Sequence, residues 1–271
     1  MTTSTFLNLD PDTIIGQWRN RSLGGYANAS TWDAAAEKWA ARPVASWDDD
    51  PFLKMLADEV DFSRGLSVLD IGCGAGLYSL ALAARAERVT GTDISPKMIE
   101  AARKKAVDEG IGNATFEVGD FAEGGSGKRY DLVIAHMTPA VRDGRTFEKM
   151  ANLANEYIYV AKPCRRHDAV LHDLMDAAGF VDDGNNDDDL FRMMCIVWAQ
   201  GLNPSLRHYT DEWRNTRSLE EARDFFIEKS LKGRVSDEGL QKADARLEEL
   251  AVDGTVEEVI TTEVYMMGWR V

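Results

Sequence analysis

The length, composition and charge of the chain limit the classes of protein to which it can belong. Its 271 residues suffice for one large domain with a full core, and 44% hydrophobic with 28% charged residues are ordinary for a soluble globular protein. A formal net charge of −15 repels phosphate backbones and anionic lipids, so neither nucleic acids nor membrane surfaces are expected as partners.

The sequence also predicts a cytoplasmic location. No apolar run has the length of a membrane span, and the first residues lack the basic start and apolar core of a signal peptide. The three cysteines are far apart, which argues for a reducing compartment and against a disulfide framework or a cysteine zinc cluster. No metal site is expected.

Residues 1–63 are predicted to form an N-terminal helical cap. This region is rich in Ala, Asp, Glu and Trp, and Pro43 and Pro51 divide it into short helices.

From residue 64 to residue 200, short apolar strands alternate with amphipathic helices. The predicted strands are Leu66–Ile71, Arg88–Thr92, Ala114–Val118, Tyr130–Ala135 and Tyr157–Ala161. The helix after the second strand has Ser95 as N-cap, Pro96 in its first turn and Gly110 at its end, and a later helix runs from about His167 to Gly179. This alternation predicts an α/β fold, a doubly wound, mostly parallel sheet with helices on both faces.

Beyond Gly179 the alternation fades. Residues 193–199 and 261–271 are predicted as two further strands, so that residues 257–271 contain the final strand of the core sheet. Between them, residues 201–256 are predicted as an insertion with helices near Leu219–Leu231 and Asp237–Leu250. This insertion is either part of a lid over a ligand or a cap over the sheet edge.

The segment VLDIGCGAGLYSL contains a sharp turn between the first strand and the next helix. Asp70 precedes glycines at Gly72, Gly74 and Gly76, in the pattern GxGxG. The dinucleotide-binding fingerprint GxGxxG has one more residue, which helps to hold a pyrophosphate. A carboxylate at this turn repels a pyrophosphate but suits a ligand that carries an ammonium group, which argues against a dehydrogenase.

Two further strand ends carry acidic residues. Asp93 ends the second strand, seventeen residues after Gly76, where a carboxylate can accept hydrogen bonds from both hydroxyls of a ribose. Asp120 and Phe121, in the sequence VGDF, end the third strand, where they suit an exocyclic amine and an aromatic ring. Taken alone, Asp70 or Asp93 could merely cap a turn or a helix.

The sequences VLDIGCGAG, GTDIS, GDF and YDLVIAHM occur in the order and spacing of the cofactor motifs of one family. The segment from Leu66 to Phe180 resembles a class I S-adenosylmethionine-dependent methyltransferase. The resemblance implies a seven-stranded sheet whose last strand runs antiparallel, and S-adenosylmethionine as cofactor. It implies that the cofactor is bound by Asp70, Gly72, Cys73, Gly74, Gly76, Asp93, Ile94, Asp120, Phe121 and His136.

The acceptor is expected beyond the fourth strand, at AHMTPAVRDG. His136 is placed to act as a general base there, or else only packs beside the cofactor, and Thr138 is a candidate substrate contact. Enzymes of this class that methylate amide or base nitrogens often carry Asn/Asp-Pro-Pro-aromatic at this place. The chain has His136-Met137-Thr138-Pro139 instead, which puts methylation of DNA or glutamine in doubt.

Other candidate substrate residues lie further from the glycine turn. Arg165 and Arg166, in the basic run KPCRRHD, either bind an anionic acceptor or pair with surface acids. Tyr26 and Trp39 either line the acceptor pocket or belong to the core.

The sequence therefore predicts methyl transfer to a small-molecule acceptor. The alternatives are a methyltransferase that modifies protein or RNA, and a protein that binds S-adenosylmethionine without catalysis. The oligomeric state and the acceptor atom stay open.

Overall fold

The computed structural model describes residues 10–19, 28–124, 127–180 and 188–271. It divides into two compact units. The first comprises Met1–Lys162, Asp188–Arg207 and Tyr265–Val271, and the second comprises Pro163–Asp187 and His208–Val264.

Strands and helices alternate along most of the chain. The strands are β1 (Ser67–Ile71), β2 (Arg88–Asp93), β3 (Ala114–Val118), β4 (Tyr130–His136), β5 (Ala154–Asp168), β6 (Ser205–Ser218) and β7 (Thr255–Arg270). The helices are α1 (Pro11–Gln17), α2 (Ala29–Ala40), α3 (Pro51–Glu59), α4 (Leu77–Ala83), α5 (Pro96–Asp108), α6 (Gly144–Leu153), α7 (Ala169–Ala177), α8 (Asp188–Ala199), α9 (Leu219–Ala222) and α10 (Asp237–Leu250). A π-helix, Arg223–Leu231, continues α9.

The strands form one seven-stranded sheet in the order β3-β2-β1-β4-β5-β7-β6. β1 lies between β2 and β4 and pairs with both in parallel, and β2–β3 and β4–β5 are also parallel. Parallel strands end at the same edge of a sheet, so the loops after β1, β2, β3 and β4 are neighbours there. The predicted doubly wound, mostly parallel sheet is confirmed.

The last strand runs opposite to its neighbours. The amide of Val271, directly after β7, donates to the carbonyl of Glu156 near the start of β5. Against β6, the side chain of Ser205 bonds to the carbonyl of Gly268, and that of Asn215 bonds to Glu258. Because residue numbers rise on one strand while they fall on the other, β7 is antiparallel to both, as the family resemblance implied.

The helix after β2 follows its sequence signals closely. Ser95 accepts a hydrogen bond from the amide of Met98, Pro96 lies in the first turn, and the buried face carries Ile99, Ala102 and Ala106. Ser95 thereby fixes the first turn of α5 next to Asp93, at the carboxyl end of β2.

The second unit has a core of its own. Apolar side chains from α7, α9, the π-helix and α10 pack together, among them Leu174, Phe226 and Leu247, which are fully buried. Arg246 on α10 makes two hydrogen bonds to Asp173 on α7. The two helices predicted near residues 219–231 and 237–250 are therefore present, although the first is largely a π-helix.

One prediction between residues 190 and 220 is wrong, and one strand in this range was not predicted. Residues 193–199 form the end of helix α8 and not a strand, because the apolar residues Leu190, Met193, Ile196 and Val197 recur at helical spacing and bury one face. The sixth strand is instead β6, at the start of the predicted helical insertion. Its side chains alternate between half-buried and exposed along the whole strand, the pattern of a strand with one covered face.

The predicted division at residues 63, 200 and 256 stays a prediction. The boundary between the two compact units falls within β5, β6 and β7 instead of between elements. None of the helices in the described part of the chain is both long and apolar enough to cross a membrane.

A buried pair of carboxyl groups should make stability depend on pH. Asp168 on β5 and Glu258 on β7 are buried and hydrogen-bonded to each other, and burial above all raises the pKa of Asp168. The unfolded chain then releases this proton at lower pH than the folded chain, so the free energy of unfolding falls as pH rises from about 4 towards the raised pKa. Asp168→Asn removes this loss of stability with rising pH, because asparagine does not ionise. Its side-chain oxygen can still accept the N-cap hydrogen bond of α7. We expect the variant to gain thermal stability over the wild type as pH rises.

The control is Asp173→Asn on α7, the helix that Asp168 caps. The hydrogen bonds from Arg246 lower the pKa of Asp173, so this carboxylate stabilises the fold once pH is above its unfolded value. Thermal unfolding of both variants from about pH 4 to about pH 8 should show opposite trends relative to the wild type. Parallel trends would contradict the assignment of a proton to the buried pair.

Candidate cofactor and acceptor site

The turn between β1 and α4 is built from glycines in left-handed conformations. The φ angles of Gly72, Gly74 and Gly76 are 69°, 54° and 80°. The amides of Gly72 and Cys73 both donate to the carbonyl of Thr92 on β2, at 2.8 and 3.0 Å. These bonds hold the turn at the carboxyl edge of the sheet, above the neighbouring strand.

Asp70 lies within β1, directly beneath this turn. It is 2% exposed, and its Oδ2 accepts a hydrogen bond of 2.6 Å from the hydroxyl of Ser79 on α4. Burial raises the pKa of Asp70 to about 7, the Ser79 hydrogen bond opposes this rise, and the charge of Asp93 adds to it. Asp70 is therefore poised between its neutral and charged forms near neutral pH, and a cation placed beside it would favour the charged form.

Asp93 holds the ends of two elements together. Its Oδ2 accepts from the amide of Gly74 at 2.9 Å and its Oδ1 accepts from the amide of Ser95 at 2.8 Å. Burial raises its pKa in spite of these two bonds. Each carboxylate oxygen can accept a second hydrogen bond, so Asp93 keeps the capacity to bind a diol.

Gly72 is in close contact with the loop after β4. A Cβ atom added to Gly72 would lie 1.9 Å from Oγ1 of Thr138, which is itself buried. No side chain fits there. The glycine is thus required both by its backbone conformation and by the approach of Thr138.

The loop after β3 carries Asp120 and Phe121 and is supported by α6. Lys149 donates to the carbonyls of Phe121 and Gly124, and its ammonium nitrogen lies 4.8 Å from the centre of the Phe121 ring. Arg145, one turn earlier on α6, donates to the carbonyl of Ala122 at 2.9 Å. Both side chains of the predicted adenine contact are half-buried, so they remain accessible at the strand end.

His136, the last residue of β4, lies in an aromatic cluster. Its ring centre is 3.8 Å from that of Tyr78 on α4 and 4.8 Å from that of Phe52 on α3. Tyr78 is fixed in turn by a 2.6 Å hydrogen bond from its hydroxyl to Asp50, the N-cap of α3. Burial lowers the pKa of His136 to about 3, so the imidazole is neutral at physiological pH.

Helix α2 packs beside the same edge of the sheet. Asp33 accepts hydrogen bonds from the hydroxyl of Ser95 at 2.5 Å and from the amide of Lys97 at 3.1 Å. Trp39 is half-buried in an apolar cluster with Ala75 of the glycine turn. These contacts favour a core position for Trp39, and its role as a substrate contact stays a prediction.

The structure places the remaining candidate residues as follows. Ile94 is half-buried between Asp93 and Ser95. Burial, reinforced by the charges of Asp70 and Asp93, raises the pKa of the Cys73 thiol, so Cys73 is a neutral side chain within the turn. Tyr26 lies outside the described residues.

Arg165 and Arg166 belong to the second unit and are both exposed. Each has an interaction there. The guanidinium of Arg166 lies 5.6 Å from the centre of the Trp213 ring. The pKa of Glu263 is lowered mainly by the hydrogen bond from Thr210, and the charge of Arg165 adds to this effect. Their role toward an acceptor stays a prediction.

Three observations indicate that the residues at this edge of the sheet fit S-adenosylmethionine. Among the described residues, two buried side-chain atoms have no hydrogen-bond partner, Oγ1 of Thr92 and Nε2 of His136, and both lie at the ends of the strands that flank β1. On the outer side of the turn, a Cβ at Gly74 would meet only the sulfur of Met98 at 3.9 Å, so the backbone there is open to a ligand. Asp70, Asp93 and Asp120 supply acceptors for an ammonium, a diol and an exocyclic amine.

A mostly parallel sheet with a glycine turn after β1 and an acid at the end of β2 is typical of nucleoside-binding α/β proteins. Residues 62–214, more than half of the chain, match the family model described as a methyltransferase domain. The chain therefore belongs to this family, the class I S-adenosylmethionine-dependent methyltransferases, whose cofactor is S-adenosylmethionine.

Two curated relatives match parts of the chain. Magnesium-protoporphyrin O-methyltransferase of Rhodobacter capsulatus is 40% identical over 81 residues, which cover 30% of this chain and 36% of that protein. Ribosomal protein L11 methyltransferase of Pseudomonas aeruginosa is 49% identical over 55 residues, which cover 20% of this chain and 19% of that protein. The chain thus spans little more than a third of the first relative and about a fifth of the second.

A solved structure shares the fold. Phosphoethanolamine N-methyltransferase 2 of Haemonchus contortus has a TM-score of 0.50 at 15% identity, over 88% of this chain and 57% of that chain. At this level of identity the likeness concerns the fold alone.

Replacing Gly72 tests the contact between the glycine turn and the loop after β4. Gly72→Ala should destabilise the protein by more than about 3 kcal/mol, because a methyl group would overlap Thr138 in addition to the cost of the left-handed backbone. Gly110→Ala is the matched control, since Gly110 has a φ of 68° with open space around its Cβ position, and should cost about 1 kcal/mol. Chemical denaturation measures both. Equal losses would show that the close contact contributes nothing.

Proposed function

We propose that the chain transfers a methyl group from S-adenosylmethionine to a small-molecule acceptor. The observation that carries this proposal is the set of Asp70, the glycine turn and Asp93 at one edge of the sheet, each held by hydrogen bonds to its neighbours. When bound, S-adenosylmethionine supplies an electrophilic methyl group on a sulfonium, so the protein has mainly to bind and align the acceptor.

In this proposal each strand end contacts one part of the cofactor. Asp70 and the turn bind the methionine end, where the ammonium group stabilises the charged form of Asp70. Asp93 accepts hydrogen bonds from the ribose hydroxyls, and Asp120 with Phe121 binds the adenine. Ile94 and Cys73 pack against the same ligand, and Gly76 begins the helix behind it.

We assign the contact with the acceptor to His136, the last residue of β4. The sequence suggests a general base, but an imidazole with a pKa of about 3 accepts a proton poorly at neutral pH. We therefore propose that the neutral ring orients the acceptor through a hydrogen bond at Nε2, the buried atom that has no partner in the protein. Thr138, on the next turn of chain, borders the same place.

Two features support a small acceptor. The net charge of −15 disfavours anionic polymers, and one relative is by its name a magnesium-protoporphyrin O-methyltransferase. A protein acceptor is the second candidate, because another relative is by its name a ribosomal protein L11 methyltransferase. The anionic acceptor read by Arg165 or Arg166 remains a prediction from the sequence.

Binding of S-adenosylhomocysteine should depend on pH through Asp70. Because the ligand's ammonium favours the charged carboxylate and the free pKa is about 7, affinity should rise about tenfold from about pH 6 to about pH 8. Asp70→Asn should weaken binding and abolish this rise, and Asp93→Ala should weaken binding at every pH. Titration calorimetry measures all three proteins.

Asp108→Asn is the control for these variants, since Asp108 is an exposed residue paired with Lys104. It should bind like the wild type. Absence of heat with the wild type would contradict the proposed function itself, whereas an unchanged constant for Asp93→Ala would contradict only the ribose assignment.

A panel of anionic, neutral and cationic small molecules, together with a protein fraction, should identify the acceptor class. We expect methylated products, detected by mass spectrometry, among small molecules that carry a carboxylate or phosphate. Loss of a charged hydrogen bond costs about 1.5–3 kcal/mol, so Arg165→Ala or Arg166→Ala should raise the acceptor KM at least tenfold. His136→Phe, which keeps an aromatic ring but no nitrogen, should lower kcat about 100-fold, because the acceptor loses the hydrogen bond that aligns it with the methyl group.

Arg214→Ala is the control for the arginine variants, because Arg214 is exposed in the same unit and paired with Glu212. Neutral or cationic acceptors among the main products, or full activity of both arginine variants, would show that the anionic acceptor is wrong. Methylation confined to the protein fraction would favour the second candidate.

A further inference from the structure

A buried lysine holds the loop between β4 and α6, residues 137–143. Lys162 lies near the middle of β5, the strand next to β4, and is 8% exposed. Its Nζ donates to the carbonyl of Thr138 at 3.2 Å and to the carbonyl of Val141. One ammonium group thus bridges two carbonyls, three residues apart, on the inner side of the loop.

The loop needs such support because its conformation is constrained at its first residues. Met137 has a φ of 50°, in the left-handed region that non-glycine residues rarely adopt, and its amide bonds to the carbonyl of Ala161, the residue before Lys162. Thr138 is buried against Gly72 of the cofactor turn. The far end of the loop is fixed separately, because Thr146 on α6 accepts from the amides of Arg142 and Asp143.

The position of Lys162 differs from the one that its sequence context suggests. It opens the basic run that was expected to recognise an anion, yet its ammonium is turned to backbone carbonyls within the first unit. A buried ammonium is retained in a fold only when its donors are satisfied, so these carbonyls are held as firmly as the lysine itself.

We propose that Lys162 is a positioning residue for the cofactor. By holding the carbonyls of Thr138 and Val141, it keeps the Thr138 side chain in contact with Gly72. This contact fixes the position of the glycine turn relative to β2. This inference rests on the proposed function, in which S-adenosylmethionine is the ligand that binds at the glycine turn. It also implies that the loop facing the acceptor and the turn facing the cofactor move together.

Lys162→Met tests this link, since methionine keeps an unbranched apolar stem without the donors. We expect faster hydrogen exchange of the ligand-free protein at Ala140, whose amide bonds to the Thr138 hydroxyl, and unchanged exchange at Arg142 and Asp143, which Thr146 holds separately. We also expect about tenfold weaker binding of S-adenosylhomocysteine, as for loss of a charged hydrogen bond. Lys162→Arg, which restores charge and donors, should recover most of the affinity. Lys104→Met, at an exposed lysine, should change neither quantity.

A second variant, Thr138→Ala, removes the last link while leaving the lysine in place. It should weaken binding to a similar extent, and the double variant should bind no more weakly than Lys162→Met alone. Additive losses, or unchanged binding of Lys162→Met with normal loop exchange, would overturn the proposal. If Lys162→Met fails to fold, Thr138→Ala and Lys162→Arg decide: wild-type affinity for Thr138→Ala would overturn it. If the wild type binds no S-adenosylhomocysteine, the proposed function is contradicted. The hydrogen-exchange result would still test whether Lys162 holds the loop.

Discussion

The burial of two carboxylates at adjacent strand ends is the constraint on which the cofactor edge of this protein depends. Asp70 and Asp93 both carry raised pKa values because burial separates them from water, and each is partly compensated by donors from the turn or helix above it. The same donors shape the glycine turn. Burying two carboxylates costs free energy, and a bound nucleoside with a positive charge would offset part of this cost. The cost of burial is therefore linked to the shape of the cofactor site.

Much of this edge could be predicted from the sequence because it depends on local signals. The glycines on either side of Cys73 permit the left-handed backbone of a sharp turn. Ser95 and Pro96 mark the start of α5 through their chain neighbours alone. The number of strands and the antiparallel last strand came from the family resemblance, which the seven-stranded sheet bears out.

What could not be predicted depends on contacts between residues distant in sequence. Met193 to Ala199 is apolar enough for a strand, and only the helical spacing that begins at Leu190 reveals which face is buried. Phe52 contacts His136, and Asp50 bonds to Tyr78 beside it, only once α3 has folded onto the sheet edge. The start of that helix is nevertheless marked in the sequence by Asp50 and Pro51. Lysines such as Lys149 and Lys162 look alike in the sequence, and their carbonyl partners are set by the fold.

Helix α6 supports two loops at the same edge of the sheet. Arg145 and Lys149 hold the loop after β3, while Thr146 holds the end of the loop after β4. A substitution on this polar face that displaces the helix would therefore alter both loops at once. Because Thr138 in the second loop also contacts Gly72, the displacement would extend to the turn after β1, so that three separate connections at this edge of the sheet respond to one helix.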